Sequence, residues 1–404
     1  MSNWMIPEDK LSEEQRQFID IEIPKNKNQW IRGYAGSGKS VLLAHGINDL
    51  IRRNKNINIC LVVFTQSLRQ LFIAGAIELK IPEKNLKIWT YHQFRNNNMT
   101  FDYIFCDEVQ DLPKSILEKM KASAKYVISG GDENQSIYDA DPQTKERTVT
   151  PSEIGNVLNA NTWDLNTIYR LTKSVIKAVS SLIPSMSILS SKTDNTKKDV
   201  TPNLAKASSK EQEVKYILSK SKDAIGNSDE TVVVILPGHD SVIEFINIAL
   251  RQYNKNIWDK DDRSNQNRWG KPDFGTLNNH LVNNNVDIEY IGNNYGDLYN
   301  SGEKGKIIVM TYHSSKGLDF DNVFLPFMGD SHYERSLYYF TDTLFMVGMT
   351  RSKLALTITY SGKMHEFVAR IADSCNADSC NKVDIDKILN QSKNSNNFDD
   401  DFDF

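Results

Sequence analysis

The chain has 404 residues, of which 39% are hydrophobic and 25% are charged. A chain of this length can bury two medium-sized cores, and this composition is typical of a globular protein in water. The formal net charge of −4 excludes a protein whose whole surface attracts nucleic acid, so such binding would need a local groove. No apolar run approaches the roughly 20 residues that a membrane span needs.

The first nine residues lack the basic start and the long apolar stretch of a secretory signal, which predicts a cytoplasmic protein with no membrane contact. The four cysteines fit that compartment. Cys60 and Cys106 lie in apolar, strand-like runs, whereas Cys375 and Cys380 have no second pair that would complete a zinc site. We therefore expect the cysteines to have neither a metal nor a disulfide role.

Residues 33–40 match the phosphate-binding pattern G-x-x-x-x-G-K-[ST]. They follow a strand-like run at residues 29–32 and precede the apolar start of a helix at residues 41–44, which is the order that a P-loop requires. The glycines let backbone N–H groups surround a phosphate, Lys39 can reach the β- and γ-phosphates, and the Ser40 hydroxyl can bind Mg²⁺. The pattern alone leaves open which kind of nucleotide-driven protein this is.

Strand-like runs and helical patterns alternate through the first part of the chain. The runs at residues 57–64, 86–89, 103–106 and 125–129 are mostly apolar, as expected for parallel strands that are buried on both faces. The predicted fold class is therefore α/β, with a parallel sheet flanked by helices. Because ligands of open α/β sheets bind beyond the carboxyl ends of the strands, we expect functional side chains directly after these runs.

Asp107 and Glu108 directly follow the run at residues 103–106. Two adjacent carboxylates at a buried strand end need a cation or a proton to offset their charge, and Mg²⁺ is the natural cation. We expect Asp107 to hold the metal through its water shell and Glu108 to deprotonate the attacking water. The ordinary alternative is a solvated acidic turn, but the P-loop upstream favours catalysis. Gln135 follows the next run, where a neutral side chain could sense a γ-phosphate.

The order of these motifs resembles that of superfamily 1 helicases of the UvrD/Rep/PcrA type, over roughly residues 10–360. The segments that carry the resemblance are Gln15, the P-loop, DEVQD at residues 107–111, GDENQSIY at 131–138, IYR at 168–170, TYHSSKGLDF at 311–320 and VGMTRS at 347–352. The resemblance implies two tandem RecA-like P-loop domains with parallel sheets flanked by helices. It also implies an ATP hydrolase that uses Mg²⁺ in an interdomain cleft.

Matching positions carry the family's nucleotide contacts onto this chain. Gln15 would recognise adenine, Tyr169 would stack on it, and Asp319 stands near the ribose where the family has a glutamate. Arg170 and Arg351 would contact the γ-phosphate, where planar guanidinium groups stabilise the developing charge. The implied ATP-binding residues are Gln15, Gly33, Ala35, Gly36, Ser37, Gly38, Lys39, Ser40, Tyr169, Arg170, Asp319 and Arg351. The implied catalytic residues are Lys39, Asp107, Glu108, Gln135, Arg170 and Arg351, and the implied metal ligands are Ser40 and Asp107.

The resemblance further implies a single-stranded nucleic-acid track, because the family holds the strand at strand ends opposite the ATP site. The matching positions here are Phe64, Thr65, Thr90, Tyr91, His92, Tyr138, Thr311 and His313. Each aromatic residue also has an interpretation as a core residue. The implied activity is a translocase or helicase that moves 3′ to 5′ on single-stranded DNA, in DNA repair or phage defence. RNA stays open as the track, because no motif recognises the 2′-hydroxyl.

Three departures from the family pattern put strand separation in doubt. After Tyr138 the family has a tryptophan between basic residues, whereas residues 139–141 here are Asp-Ala-Asp. Only 14 residues separate His92 from Asp107, where the family inserts an accessory domain, and the second half is similarly short. The alternative function is an ATP- and DNA-gated regulatory subunit that controls a partner, such as a nuclease, without processive unwinding.

We predict an N-terminal RecA-like domain at residues 1–165 and a C-terminal one at residues 166–375. The polar stretch at residues 190–210 predicts a loop. An insertion near residues 254–304 is rich in Asn and carries two tryptophans among Lys and Arg. It is predicted as an elaborated loop or, less favoured, as a small nucleic-acid or partner surface.

Residues 376–404 are polar and acidic and predict a disordered tail. Its last eight residues place a terminal Phe behind an aspartate cluster. This ending resembles the acidic tip of bacterial single-stranded-DNA-binding proteins. We therefore consider that the tail docks a partner that binds such a tip.

Overall fold

The computed structural model describes residues 5–132, 134–141, 143–194, 198–228, 230–292, 294–329, 340–374 and 380–396. These residues divide into two compact units. The first unit takes its described residues from 1–171, 190–196 and 316–318, and the second takes them from 172–189, 197–315 and 319–404. Glu133, Cys375 and the last eight residues, on which some predictions fall, lie outside the described part of the chain.

A parallel sheet forms the centre of the first unit. Its strands are β1 (Gln29–Gly33), β2 (Ile59–Val63), β3 (Leu86–Thr90), β4 (Phe101–Cys106), β5 (Ala124–Gly131) and β6 (Asn161–Leu165). In the described residues their order is β3-β2-β4-β5-β1-β6, and all neighbouring strands are parallel. Two short strands, β7 (Thr167–Ile168) and β8 (Lys192–Thr193), pair separately.

Helices cover both faces of this sheet. They are Glu13–Gln17, Lys39–Arg53, Gln66–Glu78, Tyr91–Arg95, Lys114–Ser123 and Pro151–Leu158. Successive side chains of a strand point to opposite faces, so the buried neighbours Ile104 and Phe105 of β4 belong to different apolar clusters. Burial on both faces explains why the central strands are continuous apolar runs.

The second unit is built around another parallel sheet. Its strands are β9 (Asn203–Ala207), β10 (Val232–Leu236), β11 (Ile288–Tyr290), β12 (Ile307–Thr311), β13 (Phe320–Leu325), β14 (Ser352–Ser361) and β15 (Asn381–Asp384). In the part of the chain that the structure describes, they lie in the order β11-β12-β10-β13-β14-β9-β15. The helices are Lys173–Leu182, Lys210–Ser228, His239–Gln252, Phe274–Asn283, Leu298–Glu303, Tyr312–Ser315, Asp342–Met349, Glu366–Ser374 and Ile385–Asn396. The two sheets confirm the predicted α/β fold with tandem RecA-like domains.

The structure corrects the prediction of a loop at residues 190–210. The strand β9 lies there, between β14 and β15, and it pairs in parallel with both. Leu204, Ala205 and Ala207 are buried. One leucine and two alanines are too weak a pattern to indicate a strand from sequence, and hydrogen bonding to a strand on each side stabilises β9.

The prediction of an irregular loop at residues 254–304 was also wrong. The helix Phe274–Asn283 and the strand β11 lie in this segment, and β11 extends the sheet beside β12. Trp258 is only 1% exposed, and its backbone N–H and C=O form two hydrogen bonds of 2.9 Å with the Asn247 side chain. Trp269, by contrast, is 68% exposed. Most of the segment is therefore part of the folded unit.

The tail prediction is corrected over residues 381–396. This stretch forms β15 and the helix Ile385–Asn396 instead of a disordered chain. Ile385 and Leu389 are buried in the apolar core of the second unit. Two apolar side chains at helical spacing anchor a segment that is otherwise polar, so composition alone pointed to disorder.

The cysteine predictions are partly confirmed. Cys60 and Cys106 are buried free thiols. Cys380 is disulfide-bonded, so the expectation that the cysteines have no disulfide role was wrong for this residue.

Among the helices that the structure describes, none has both the length and the apolar character to cross a bilayer.

Trp258 and Trp269 offer a matched test of the packed segment. Trp258→Ala should lower the free energy of unfolding by about 3–5 kcal/mol, because it leaves a cavity in the core. Trp269→Ala should change it by less than about 0.5 kcal/mol, because the ring is mostly exposed. Urea denaturation followed by circular dichroism measures both variants. Equal stability of the two variants would contradict the packing described here.

Candidate nucleotide and nucleic-acid sites

The P-loop connects β1 to the helix Lys39–Arg53. Gly36 and Gly38 have φ angles of 77° and 85°, in the left-handed region that side chains disfavour. A Cβ at Gly36 would collide with the Arg170 side chain, and a Cβ at Gly38 would come within 2.5 Å of the Gln15 amide. Both the backbone conformation and the surrounding space therefore require glycine at these two positions.

Neighbouring segments hold the P-loop from outside. The backbone N–H groups of Tyr169 and Arg170 donate to the carbonyl of Gly36 at 2.8 and 3.3 Å. Gln15 is buried, and it forms a capping box with Ser12 at the start of the helix Glu13–Gln17. The structure thus brings Gln15, Tyr169 and Arg170 to the predicted phosphate loop.

The polar side chains of the loop are arranged for an anion. Lys39 Nζ donates to the carbonyls of Gly33 at 2.7 Å and Tyr34 at 3.1 Å. The Ser37 hydroxyl is buried and has no hydrogen-bond partner among the described residues. A buried hydroxyl without a partner is costly, and a phosphate oxygen would satisfy it. The loop fits a phosphate for this reason.

Ser40 and Asp107 fit a Mg²⁺ ion. The Ser40 hydroxyl donates to Asp107 Oδ2 at 2.6 Å. Hydroxyl and carboxylate oxygens, together with phosphate oxygens and water, are the ligands that Mg²⁺ takes at nucleotide sites. The described residues contain no cluster of three or more His, Cys, Asp or Glu that could hold a metal. A site that is completed by phosphate and water does not need such a cluster.

Three carboxylates, those of Asp107, Glu108 and Asp111, are buried where β4 ends. Burial, followed by the adjacent Glu108 charge, raises the pKa of Asp107 above its ordinary range. Burial also raises the pKa of Asp111, although the Lys316 ammonium opposes this shift. This concentration of negative charge is stable only when cations or protons offset it.

Glu108 has an unusual backbone conformation at this point. Its φ of 56° and ψ of 42° are in the left-handed region, which is uncommon for a residue other than glycine. Its Oε2 accepts a hydrogen bond from Gln110 Nε2 at 2.6 Å, and Gln110 Oε1 accepts one from the Asp132 backbone at 3.3 Å. A strained backbone that its surroundings hold in place is typical of a functional position.

Lys316 is a site residue that sequence reasoning missed. Its side chain is 1% exposed, it forms an ion pair with Asp111, and it donates to the backbone carbonyl of Gln135. Its Nζ also lies 3.8 Å from Glu108 Oε2. The lysine was visible in the motif at residues 311–320, but no sequence signal links it to a carboxylate 205 positions earlier.

Four predicted nucleic-acid residues form one aromatic cluster in the first unit. The Phe64 ring stacks on Tyr91 with a centroid distance of 5.1 Å, and the Tyr138 ring lies 4.8 Å from Phe64. The centroid of the His92 ring lies 3.9 Å from that of the Tyr91 ring. Tyr91 is buried, whereas the other three are partly exposed. Tyr91 is therefore placed to support the rings that can reach a ligand.

His92 has a property that suits a hydrogen-bonding contact. Its Nδ1 is buried and has no partner within the described part of the chain. Burial lowers the pKa of the ring below its ordinary value, so the ring is neutral at pH 7. A neutral imidazole can donate or accept one hydrogen bond at each nitrogen.

The two predicted threonines of the first unit cap helices. The Thr65 hydroxyl accepts from Leu68 N at 3.1 Å and begins the helix Gln66–Glu78. Thr90 forms a capping box with Gln93. These caps fix where each strand passes into its helix, so a role in nucleic-acid binding would come in addition to a structural one.

Asp141 explains the Asp-Ala-Asp departure from the family pattern. Its Oδ2 accepts from Arg95 at 2.6 Å, and its Oδ1 accepts from the backbone N–H groups of Gln143 and Thr144 at 2.8 Å. Burial raises its pKa, but these hydrogen bonds outweigh burial and hold the pKa well below its ordinary range. The Arg95 guanidinium also lies 5.4 Å from the Tyr91 ring. An ion pair beside the aromatic cluster thus occupies the segment where the family has its tryptophan.

The other predicted site residues lie in the second unit. Arg351 is 1% exposed, and it donates to the carbonyl of Val347 at 2.8 Å and to the Thr350 hydroxyl at 2.9 Å. Asp319 Oδ1 lies 3.8 Å from Lys353 Nζ. The remaining two are Thr311, which is buried at the end of β12, and His313, which is partly exposed.

Two family models match the sequence. The viral superfamily 1 RNA helicase core domain matches residues 29–246, and the UvrD-like helicase C-terminal domain matches residues 278–363. No curated protein matches the chain.

Solved structures with similarity to this chain include the arterivirus nonstructural protein 10 helicase. It is 14% identical, with a TM-score of 0.41, over 83% of this chain and 61% of that one. The structure of that helicase in complex with DNA is 14% identical, with a TM-score of 0.42, over 86% of this chain and 65% of that one. The C-terminal domain of a possible DNA helicase from Lactobacillus plantarum WCFS1 is 14% identical, with a TM-score of 0.33, over 53% of this chain and 98% of that one. The chain thus spans about three fifths of the arterivirus helicase.

The viral helicase model alone covers more than half of the chain. The viral helicase model covers the motifs between residues 33 and 170, and the UvrD-like model covers those at 311–320 and 347–352, whereas Gln15 lies outside both. Together the two models confirm the resemblance. The chain belongs to the superfamily 1 helicases, a family of ATP-hydrolysing enzymes.

Proposed function

We propose that the protein is an ATP-driven translocase or helicase that moves 3′ to 5′ along single-stranded DNA. The observation that carries the proposal is the arrangement of Lys39, the Ser40–Asp107 pair and Glu108 around one P-loop in a superfamily 1 helicase. We further propose that it acts in the cytoplasm, in DNA repair or phage defence. The match to the UvrD-like C-terminal domain supports this choice of activity.

In the proposed reaction the P-loop binds the phosphates of ATP. Lys39 exchanges its hydrogen bonds to the carbonyls of Gly33 and Tyr34 for phosphate oxygens, and the Ser37 hydroxyl gains the partner that it lacks. Gln15 binds the adenine and Tyr169 stacks on it, since both lie against the loop. Asp319 contacts the ribose.

Hydrolysis then depends on the buried carboxylates. Ser40 and Asp107 would hold Mg²⁺, which neutralises charge on the β- and γ-phosphates when it is bound. Glu108 takes a proton from the attacking water, and the Gln110 hydrogen bond keeps its carboxylate in one orientation. Gln135, Arg170 and Arg351 stabilise the charge that develops on the transferred phosphoryl group.

For the strand, we propose contacts at the aromatic cluster of the first unit and at the end of β12. Phe64 and Tyr138 offer faces for bases, and the partly exposed His92 ring lies beside Tyr91 in the same cluster. Tyr91 holds these rings in place, and Thr65 and Thr90 fix the strand ends. Thr311 and His313 would bind the backbone of the same strand.

The ATPase rate tests this proposal. The wild-type protein should hydrolyse ATP faster when single-stranded DNA is added, and Lys39→Ala should abolish the activity. Glu108→Gln should lower kcat by roughly 10²–10⁴-fold while ATP still binds, because it removes only the base. Phosphate release and nucleotide binding are measured on each variant, with an RNA oligonucleotide of the same sequence as a comparison. Normal turnover by Glu108→Gln would refute the assigned role of this carboxylate.

One observation favours a second function, the gated regulatory subunit. The Asp141–Arg95 ion pair occupies the segment where the family has a base-stacking tryptophan. A translocase with fewer side chains that stack on bases would step poorly along the strand. A gated regulatory subunit needs only to bind ATP and DNA. A switch saturates at low turnover until its partner is present, while a translocase hydrolyses ATP at a rate that rises with strand length.

We propose that Lys316 is a positioning residue for the carboxylates. Lys316→Met should destabilise the protein by about 3–5 kcal/mol, because it leaves Asp111 buried without a cation. The double variant Asp111→Asn/Lys316→Met should recover most of that stability but not the DNA-stimulated kcat. Urea denaturation and ATPase assays on the two variants and the wild type separate these effects. A double variant that is as unstable as Lys316→Met would contradict the pairing.

A further inference from the structure

A hairpin turn in the second unit presents Trp269 to solvent. An antiparallel bridge joins Gln266 to Pro272, and Asn267 N donates to the carbonyl of Lys271 at 2.8 Å. The Asn267 side chain accepts further hydrogen bonds from the backbone N–H groups of Trp269 at 3.0 Å and Lys271 at 3.2 Å. Backbone and side-chain bonds together hold the tip in one conformation.

The base of this hairpin is anchored to the folded unit. The Asn265 side chain donates to the carbonyl of Asp259 at 2.8 Å, and Asn265 also accepts from Asp273 N at 2.8 Å. Asp273 caps the helix Phe274–Asn283, which packs into the core. The turn is therefore a fixed projection of the unit.

The side chains at the tip place a cation beside an exposed aromatic ring. Trp269 is 68% exposed, and the Arg268 guanidinium carbon lies 4.0 Å from the centre of its ring. Asn267, Gly270 and Lys271, its neighbours in the turn, are polar or lack a side chain. The central aromatic residue of a protein–protein interface usually lies in a well-packed pocket from which water is excluded, and an exposed turn with polar neighbours offers no such pocket.

Charge on the hairpin is separated along its length. Residues 263–271 contain Arg263, Arg268 and Lys271 and no carboxylate. Acidic residues flank this stretch at the base of the hairpin, with Asp261 and Asp262 before it and Asp273 after it. The end that projects is positive, so it attracts phosphate.

An exposed aromatic ring beside a cation fits an unpaired base next to its phosphate. Bases of any sequence stack on such rings, because every base has a π-face. We propose that residues 263–271 form a second contact for single-stranded nucleic acid, in which Trp269 stacks on a base and Arg268 contacts a phosphate. This inference rests on the proposed function, since it adds a contact to the same strand. It gives the chain a stacking tryptophan that the segment after Tyr138 does not contain.

Binding of a labelled single-stranded dT oligonucleotide, followed by fluorescence anisotropy at fixed salt, tests the contact. Trp269→Ala should bind roughly tenfold more weakly than the wild type, and Trp269→Phe should retain most of the affinity, since it keeps a ring. Arg268→Ala should weaken binding several-fold. Val282→Ala, which shortens another exposed apolar side chain of the unit, serves as the matched control and should bind normally.

An abasic oligonucleotide of the same length isolates stacking from charge. Wild type and Trp269→Ala should bind it equally, because no base remains to stack. If the wild type binds the dT strand and Trp269→Ala binds it equally well, the contact is refuted and the turn becomes a surface for a protein partner. A Trp269→Ala loss that persists on the abasic strand also refutes stacking. If the wild type binds no strand at all, the proposed function itself fails.

Discussion

The burial of three carboxylates at the end of β4 is the constraint on which the candidate site depends. Asp107, Glu108 and Asp111 lie together in an environment that raises the pKa of the two aspartates, so the fold must supply positive charge. Lys316 supplies part of it directly. The Ser40–Asp107 pair leaves a further position that fits a divalent cation. This concentration of negative charge would therefore favour binding of a metal with its nucleotide.

The geometry around the P-loop is equally restrictive. Left-handed glycines, a capped helix start and the backbone of Tyr169 and Arg170 surround one short loop. The aromatic cluster lies after other strands of the same sheet, so phosphate chemistry and strand contacts would share one rigid scaffold. The family's stacking tryptophan is absent from residues 139–141, where Asp141 pairs with Arg95, and this difference concerns only the strand contacts. The residues assigned to ATP hydrolysis are not affected by this difference.

Much of this arrangement could be predicted from sequence, and the failures have physical causes. Strands such as β2 and β10 are continuous apolar runs, because both faces are buried, and predicted site residues directly follow β2 and β4. The strand β9 and the helix Ile385–Asn396 were missed because few apolar residues anchor them and pairing partners elsewhere stabilise them. Lys316 was missed because its role depends on a contact with a distant carboxylate, which no local pattern encodes.

Displacement of streptavidin from biotinylated single-stranded oligonucleotides measures the proposed movement along DNA most directly. A protein that moves 3′ to 5′ should displace streptavidin from the 5′ end when ATP is present, and should leave it on the 3′ end. Displacement from the 3′ end alone would reverse the proposed direction. No ATP-dependent displacement from either end, by a protein that hydrolyses ATP and binds the strand, would contradict the motor and favour a gated switch.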